Sequence, residues 1–453
     1  MMRRIVHHQQ LYVAPSKDFV SFLYTPVYYY LGAALSHLTG VNIVTLRLLS
    51  VLATSGCFVL IFDMVRRQTR DWFTGWIACG LFAALYAHSN GWFDLGRVDM
   101  LYVFFLLLAI NLAERGSLIW SAIVFVVAFQ TKQSAATIAV FVLASEWNRP
   151  RRLIAALSTF GFGVFFTFWL LDRESHGWYR YYTVFLPAHH AWARRFLAEF
   201  WLHDLLSPLG VVFVFVLLAL ALFVSQITEI RTKAIFWAFT TIGITLSSLA
   251  ARLHVGGAVN STLPLYSWVC ILFGLSMHVV LLRTKEAPAQ LVPLLGIVAL
   301  AACGIQFGQL VYLPGRFVPT TRQREEAEQV LKRVSMLPGK IFVNHQVIDA
   351  GGAGIQEFAV DWEVWDVLRG DQGEAGQRLK TELIHSFQNH EFAGILSDGP
   401  PDDMLPDEVK SLKDVKAAAA AAYPKQERIL SPLEAKDFFS LYNIKPEFLY
   451  VPQ

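Results

Sequence analysis

Trp92-Phe93-Asp94-Leu95-Gly96-Arg97-Val98-Asp99 decides how this chain is read. Apolar runs flank it on both sides, from Phe73 to Ala87 and from Met100 to Ala113. Three charges at the mouth of an apolar helix are costly unless they pair, reach water or hold a ligand. Read locally, Asp99 caps the helix that follows and Arg97 pairs with Asp94. Read as chemistry, Arg97 is an anion-binding arginine held between two carboxylates. Both readings stay open at this point.

The rest of the chain says which solvent surrounds those charges. Of 453 residues, 55% are hydrophobic and 16% charged, where a soluble chain carries about 25% charged. The apolar residues gather in blocks of spanning length, approximately 43–65, 72–90, 100–113, 117–131, 134–147, 153–171, 208–227, 234–251, 262–282 and 290–312. The fold class is therefore an all-α polytopic membrane domain of about ten transmembrane helices. Blocks 100–113 and 134–147 are short, as tilted or re-entrant segments are. A net charge of +3 argues against nucleic acid as a partner. Cys57, Cys79, Cys270 and Cys303 all lie in apolar blocks without CxxC spacing, as packed thiols do.

Three regions follow. Residues 1–42 form an outer loop and a juxtamembrane helix, since Phe22 to Thr39 is tyrosine-rich and entered at Pro26. Residues 43–312 are the transmembrane domain. Residues 315–453 form a small soluble α/β domain, with a helix over Glu325–Val334, strands at Lys340–Asn344 and Ala393–Asp398, and an alanine run at Lys416–Ala422 that is a helix or a tether.

Alternate loops carry Arg66, Arg67 and Arg70; Arg115; Arg149, Arg151 and Arg152; Arg231 and Lys233; Arg283 and Lys285. By the positive-inside rule these loops are cytoplasmic. The Asp94–Asp99 loop, the Lys132-Gln133 turn, the long segment 172–207 and the 252–261 loop then share the extracytoplasmic face with both termini. An external start without a preceding helix is hard to insert, and Met1 is expected to be an internal methionine downstream of a first transmembrane helix.

Everything chemically suggestive lies on that outer face. Lys132, in Thr131-Lys132-Gln133, either snorkels or neutralises a lipid phosphate. Arg252 precedes Gly256-Gly257-Ala258-Val259-Asn260, where adjacent glycines admit a ligand to the backbone. His189-His190 lacks further ligands at metal spacing and reads as a surface or sugar-contacting pair. Together, Arg97, Lys132 and Arg252 are expected to converge on one phosphorylated headgroup.

The ordered set of motifs resembles the GT-C membrane glycosyltransferases, in the family 39, PMT-like (ArnT-like) branch, from about Leu11 to Val311. The residues that carry the likeness are Leu11-Tyr12, Tyr24-Thr25-Pro26-Val27-Tyr28-Tyr29, Arg47, Gly96-Arg97-Val98-Asp99, Thr131-Lys132-Gln133 and Gly256-Gly257-Ala258-Val259-Asn260. The resemblance implies transfer of a sugar from a polyprenyl-phosphate donor to an acceptor hydroxyl at the outer face of the inner (plasma) membrane. It implies Arg97, Asp99 and Asp94 as catalytic. It implies Lys132, Gln133, Arg252, Gly256, Gly257, Asn260, Tyr24, Tyr28, Lys17, Asp18, His189 and His190 as substrate-binding. It requires no nucleotide and leaves room for a divalent cation (Mg or Mn); the acceptor is unspecified, and membrane lipid is a further partner. In the family an acidic residue just after the first helix acts as general base on the acceptor hydroxyl or coordinates a cation, a position expected to fall ahead of Met1. Two other readings stay open: a transporter or flippase for a lipid-linked sugar, and a truncated inactive homologue.

Overall fold

The structure is a computed structural model that describes residues 1–224, 231–286, 288–343, 361–399, 412–431, 434, 438 and 445–452. The chain enters through a short helix, Met2–Val6, and an irregular stretch, then α1 (Val27–Thr39). Pro26 stands at the N-cap of α1, where its missing N–H costs nothing. Every apolar block named above meets a helix: α2 (Ile43–Thr69), α3 (Trp72–Ala84), α4 (Asp99–Glu114), α5 (Leu118–Phe129), α6 (Ala135–Ala144), α7 (Pro150–Glu174), α8 (Ser207–Val224), α9 (Arg231–Leu253), α10 (Leu263–Glu286) and α11 (Val292–Gln309). The last three residues of block 208–227 lie outside the described residues.

Among the described residues six helical stretches are long and apolar enough to cross a membrane: Ile43–Thr69, Pro150–Glu174, Arg195–Leu220, Ala234–Leu253, Val259–Glu286 and Val292–Arg316. α3, α5 and α6 are shorter apolar helices. The chain is a multi-pass membrane protein. Its core lies where α4 and α10 are buried, with Met100, Val103, Ala109 and Ile110 on one and Tyr266, Trp268, Cys270 and Phe273 on the other fully covered. α7 instead exposes Phe162, Phe165, Phe166 and Trp169, as a lipid-facing helix does.

At the basic end of the bundle a polar clamp ties α2 to α4. Asp63 Oδ2 accepts from Arg67 Nε (3.0 Å), Asn111 Nδ2 (2.9 Å) and Arg115 Nη2 (2.7 Å). Arg67 also pairs with Glu114 at 2.7 Å. These side chains are partly exposed, so the network joins the helices without the cost of a fully buried charge.

The long segment between α7 and α8 carries its own short helices, Trp178–Arg180, Leu186–His189 and Arg195–Glu199, and two π-helical turns, Tyr181–Phe185 and Phe200–Leu206. Beyond α11 come α12 (Thr321–Ser335), β1 (Ile341–Val343), α13 (Asp361–Gly370), α14 (Glu374–Gln388), β2 (Gly394–Ser397), α15 (Lys413–Ala422), β3 (Lys425–Arg428) and β4 (Phe448–Val451). Thr320 and Gln323 close a capping box on α12. The sheet order is β1-β2-β4-β3, with β1 parallel to β2 and the other pairs antiparallel. The expected strands are thus β1 and β2, with Asn344 outside the described residues, and the alanine run is helical.

This α/β layer is stapled to the stretch before α1 and to the segment between α7 and α8. Lys17 pairs with Glu391 and Asp18 with Lys340. Tyr181 donates to Asp371 Oδ2 at 2.7 Å. The hydrogen bond to Glu391 holds Lys17 above the ordinary lysine value and Glu391 below the ordinary glutamate value. Lys17 and Asp18, expected to bind substrate, are therefore engaged in domain contacts.

Candidate functional site

Asp99 is the first residue of α4 and only 1% exposed. At that position a carboxylate complements the helix dipole, and its side chain also organises two distant loops. Lys132 Nζ, from the turn between α5 and α6, lies 2.8 Å from Asp99 Oδ1. Asn260 Nδ2, from the loop before α10, donates to the same oxygen at 2.9 Å. Residues 33 and 161 positions away in sequence meet at one carboxylate oxygen. The second oxygen, Oδ2, is buried without a hydrogen-bond partner among the described residues. A buried carboxylate oxygen left so costs about 1–3 kcal/mol.

Lys132 does not snorkel. It is turned inward between the rings of Tyr24 (5.7 Å) and Tyr102 (5.8 Å). Burial works against its charge, yet Asp99 and Tyr24 hold it above the ordinary lysine value. Arg97 stands over the Trp92 ring at 5.1 Å and near Tyr24 at 6.0 Å. Burial opposes its charge too, and Tyr24, Asp99 and Glu363 of α13 outweigh that and raise it. Two cations and an open carboxylate oxygen therefore share a partly buried chamber walled by Tyr24, Trp92 and Tyr102. In such surroundings a phosphate gains charge-assisted hydrogen bonds that water would weaken.

The other expected residues are placed as follows. Asp94 does not pair with Arg97: its carboxylate binds Arg47 of α2 and accepts from Tyr86 Oη at 2.9 Å. Held by Arg47 and Tyr86, Asp94 braces the loop. Arg252 does not join Lys132. Its Nε reaches Asp204 Oδ2 (2.8 Å), its Nη2 Glu199 Oε2 (3.0 Å) and its Nη1 the Gly257 carbonyl (2.8 Å), over the Phe196 ring at 4.4 Å. Two carboxylates from the segment between α7 and α8, absent from the motif reading, claim it. Arg252 thus fixes the Gly256–Asn260 loop and through it Asn260.

Gly257 sits where a Cβ would lie 2.6 Å from the Arg252 carbonyl and 2.7 Å from that of Ala251, and Gly256 has φ +90°. Only glycine permits this turn. Gln133 Nε2 donates to the carbonyls of Leu23 (2.6 Å) and Thr183 (3.0 Å), tying the Lys132 turn to the stretch before α1 and to the segment between α7 and α8. Tyr28 is fully buried, donating to the Leu46 carbonyl at 3.0 Å, and so packs rather than binds. His189 stacks on Phe185 at 4.1 Å, and His190 turns to α13. Among the described residues no three His, Cys, Asp or Glu side chains gather as a metal site would.

Sequence reasoning missed Trp92, Tyr102 and the residues of α13. A signal for α13 exists, the alternation Asp361-Trp362-Glu363-Val364-Trp365-Asp366 in an otherwise ordinary soluble tail.

The likeness of the whole chain to solved structures gives the fold. ArnT from Cupriavidus metallidurans bound to undecaprenyl phosphate matches with a TM-score of 0.57 at 13% identity, covering 99% of this chain and 91% of that one. The apo state of the same protein matches at 0.54 and 12%, with the same coverage. This is a GT-C fold. A family model, glycosyltransferase family 87, matches residues 22–252. The match spans more than half of the sequence and includes Arg97, Asp99, Lys132 and Arg252; the chain belongs to glycosyltransferase family 87. A search of curated proteins finds no match.

Proposed function

We propose that this protein transfers a sugar from a polyprenyl-phosphate donor to an acceptor hydroxyl at the extracytoplasmic membrane face. The carrying observation is the meeting of Lys132 and Asn260 on Asp99 Oδ1, with Oδ2 open and Arg97 alongside. Lys132 has three donor hydrogens, so it can keep Asp99 and still bind a phosphate oxygen. Arg97 offers a guanidinium fork to the same group. Asp99 Oδ2 accepts a hydrogen bond from a donor-sugar hydroxyl, which removes the cost of burying it open.

In the reaction, the acceptor oxygen attacks the anomeric carbon and loses its proton to a general base. The carbon–oxygen bond to the phosphate breaks, and its electron pair leaves with the polyprenyl phosphate. Lys132 and Arg97 stabilise the charge that grows there, which is the largest service such a site can give. No step is routed through a cation. The likeness to ArnT bound to undecaprenyl phosphate supports a lipid-linked donor, and the ArnT-like branch suggested by the motifs is part of this reading. The basic loops on the opposite side support the orientation.

The test is direct. Purified protein given a polyprenyl-phosphate sugar releases polyprenyl phosphate, and Arg97→Ala lowers that rate at least a hundredfold at equal folded yield. An unchanged rate in the variant refutes the role given to Arg97.

A further inference from the structure

Trp92 opens the loop that ends in Asp99, and its ring lies under Arg97. The residue is 6% exposed, and its Nε1 is buried without a hydrogen-bond partner among the described residues. An indole nitrogen only donates, and the rigid ring fixes its direction. Buried tryptophans therefore usually find an acceptor for it. The hydroxyls of Ser121 on α5 and Ser248 on α9 are left in the same state. A serine on a helix can turn its hydroxyl onto a carbonyl of the preceding turn. The indole of Trp92 has no such recourse.

The loop holds this ring in place. Trp92 N donates to the Ser89 carbonyl at 3.2 Å, and the Phe93 carbonyl accepts from Thr54 Oγ1 of α2 at 2.6 Å. Phe93 stacks on Phe82 of α3, with ring centres 4.6 Å apart. The guanidinium carbon of Arg97 lies 5.1 Å from the centre of the Trp92 ring and 6.0 Å from that of Tyr24. Nε1 belongs to the Trp92 ring, so this donor lies within a ring's width of the guanidinium. Lys132 Nζ approaches the same Tyr24 ring at 5.7 Å.

The carboxylates of the loop do not serve the indole. Asp94 is taken by Arg47 and Tyr86. Asp99 Oδ1 is taken by Lys132 and Asn260, and Asp99 Oδ2 lacks a partner of its own, so it and Trp92 Nε1 do not satisfy each other. The acceptor therefore comes from a ligand. Beside two cations that ligand is an anion, and two hydrogen bonds of about 2.9 Å meeting at one group reach across about 6 Å. One phosphate can take both Arg97 and the indole.

We propose that Trp92 Nε1–H is a third hydrogen-bond donor, beside Arg97 and Lys132, to the phosphate of the lipid-linked sugar. The face of the ring steadies the guanidinium, and its edge binds a phosphate oxygen. The two cations supply charge, and the indole supplies direction. As the carbon–oxygen bond to the phosphate breaks, the phosphate gains charge and this bond strengthens. This rests on the transferase reading above and adds a binding residue to it.

Indole proton NMR on the full chain in detergent micelles tests it, with undecaprenyl phosphate as the probe. The chain has 13 tryptophans, and Trp92→Phe identifies the signal of residue 92; Trp92→Tyr does so if the first variant fails to fold. On titration that signal should move downfield, whereas undecaprenol, which lacks the phosphate, should leave it in place. Trp92→Phe keeps a ring under Arg97 and removes the N–H, and should weaken undecaprenyl phosphate binding about tenfold. A Trp92 signal that stays in place while undecaprenyl phosphate binds overturns the inference and spares the transferase reading. So does a signal that undecaprenol moves equally. If undecaprenyl phosphate does not bind the unsubstituted chain at all, the transferase reading fails and this inference with it.

Discussion

Arg47 of α2 holds Asp94, and leaves Arg97, three residues along the same loop, facing the chamber instead. The pair is half exposed on the arginine side, so by itself it contributes at most about 1 kcal/mol. Asp94 does more than pair, because it also receives Tyr86 Oη and lies beside the Thr54 bond to the Phe93 carbonyl at 2.6 Å.

Asp94→Ala is therefore expected to destabilise more than Arg47→Ala. Losing Asp94 leaves the Tyr86 hydroxyl without its acceptor as well as removing the ion pair, a total of roughly 1–3 kcal/mol. Losing Arg47 costs less than about 1 kcal/mol. Thermal unfolding of both variants in one detergent gives the order; equal losses would show that the Tyr86 bond contributes nothing.

Gly257→Ala should prevent the loop from closing. The added carbon meets two backbone carbonyls at 2.6 and 2.7 Å, and backbone cannot rotate aside as a side chain can. Asn260 would then leave Asp99, so turnover falls with stability. Gly161→Ala on α7, where nothing lies within 4 Å, is the control and should melt as the unsubstituted chain does. A folded, active Gly257→Ala protein contradicts the assigned turn.

The staple between Lys17 and Glu391 makes a pH prediction. Glu391 is held below its ordinary value of 4.5, so its contribution is present above that pH and fades as acid protonates it in the folded state. Lys17 is held above its ordinary 10.5, so its contribution is present below 10.5 and fades as alkali passes the folded value. Between those limits the attachment is intact. Hydrogen exchange at residues 15–20 should stay constant from pH 6 to 9 after correction for intrinsic rate, and Lys17→Glu should accelerate it at every pH. Exchange indifferent to Lys17→Glu would separate the staple from the docking.

Much of the framework was legible because lipid imposes it. Apolar blocks must close their backbone hydrogen bonds locally, so helices follow from length and composition. Asp99, Lys132 and Asn260 could be singled out because charged or amide side chains between apolar helices need a reason to be there. Their partners could not be assigned. Arg252 looked like a third phosphate ligand because Glu199 and Asp204, about fifty residues earlier, sit in an aromatic segment without a recognisable motif. Asp94 and Arg97 looked like a pair because they are close in sequence, whereas Asp94 is taken by Arg47 and Tyr86 and Arg97 lies over Trp92 and Tyr24. The arrival of α13 at the segment between α7 and α8 depends on tertiary docking between Tyr181 and Asp371 and between His190 and Asp366. No local periodicity encodes that.

The Lys132–Asp99 pair carries the most weight. Both side chains are nearly enclosed, at 11% and 2% exposed. Removing one member strands the other's charge, and that costs about 3–5 kcal/mol, more than removing both. Lys132→Met should therefore unfold more easily than the double variant Lys132→Met/Asp99→Leu, in which no charge is left behind. Activity should follow a different rule. Each single variant and the double should lose turnover to a similar extent, since either change empties the chamber of the Lys132 cation or frees Asn260 and leaves no carboxylate for the sugar. A double-mutant cycle read in both stability and polyprenyl-phosphate release tests the two rules together. If stability losses simply add, Lys132 and Asp99 do not share a buried charge pair. If the double variant keeps the turnover of the unsubstituted chain, the chamber they form is not where the donor phosphate is held.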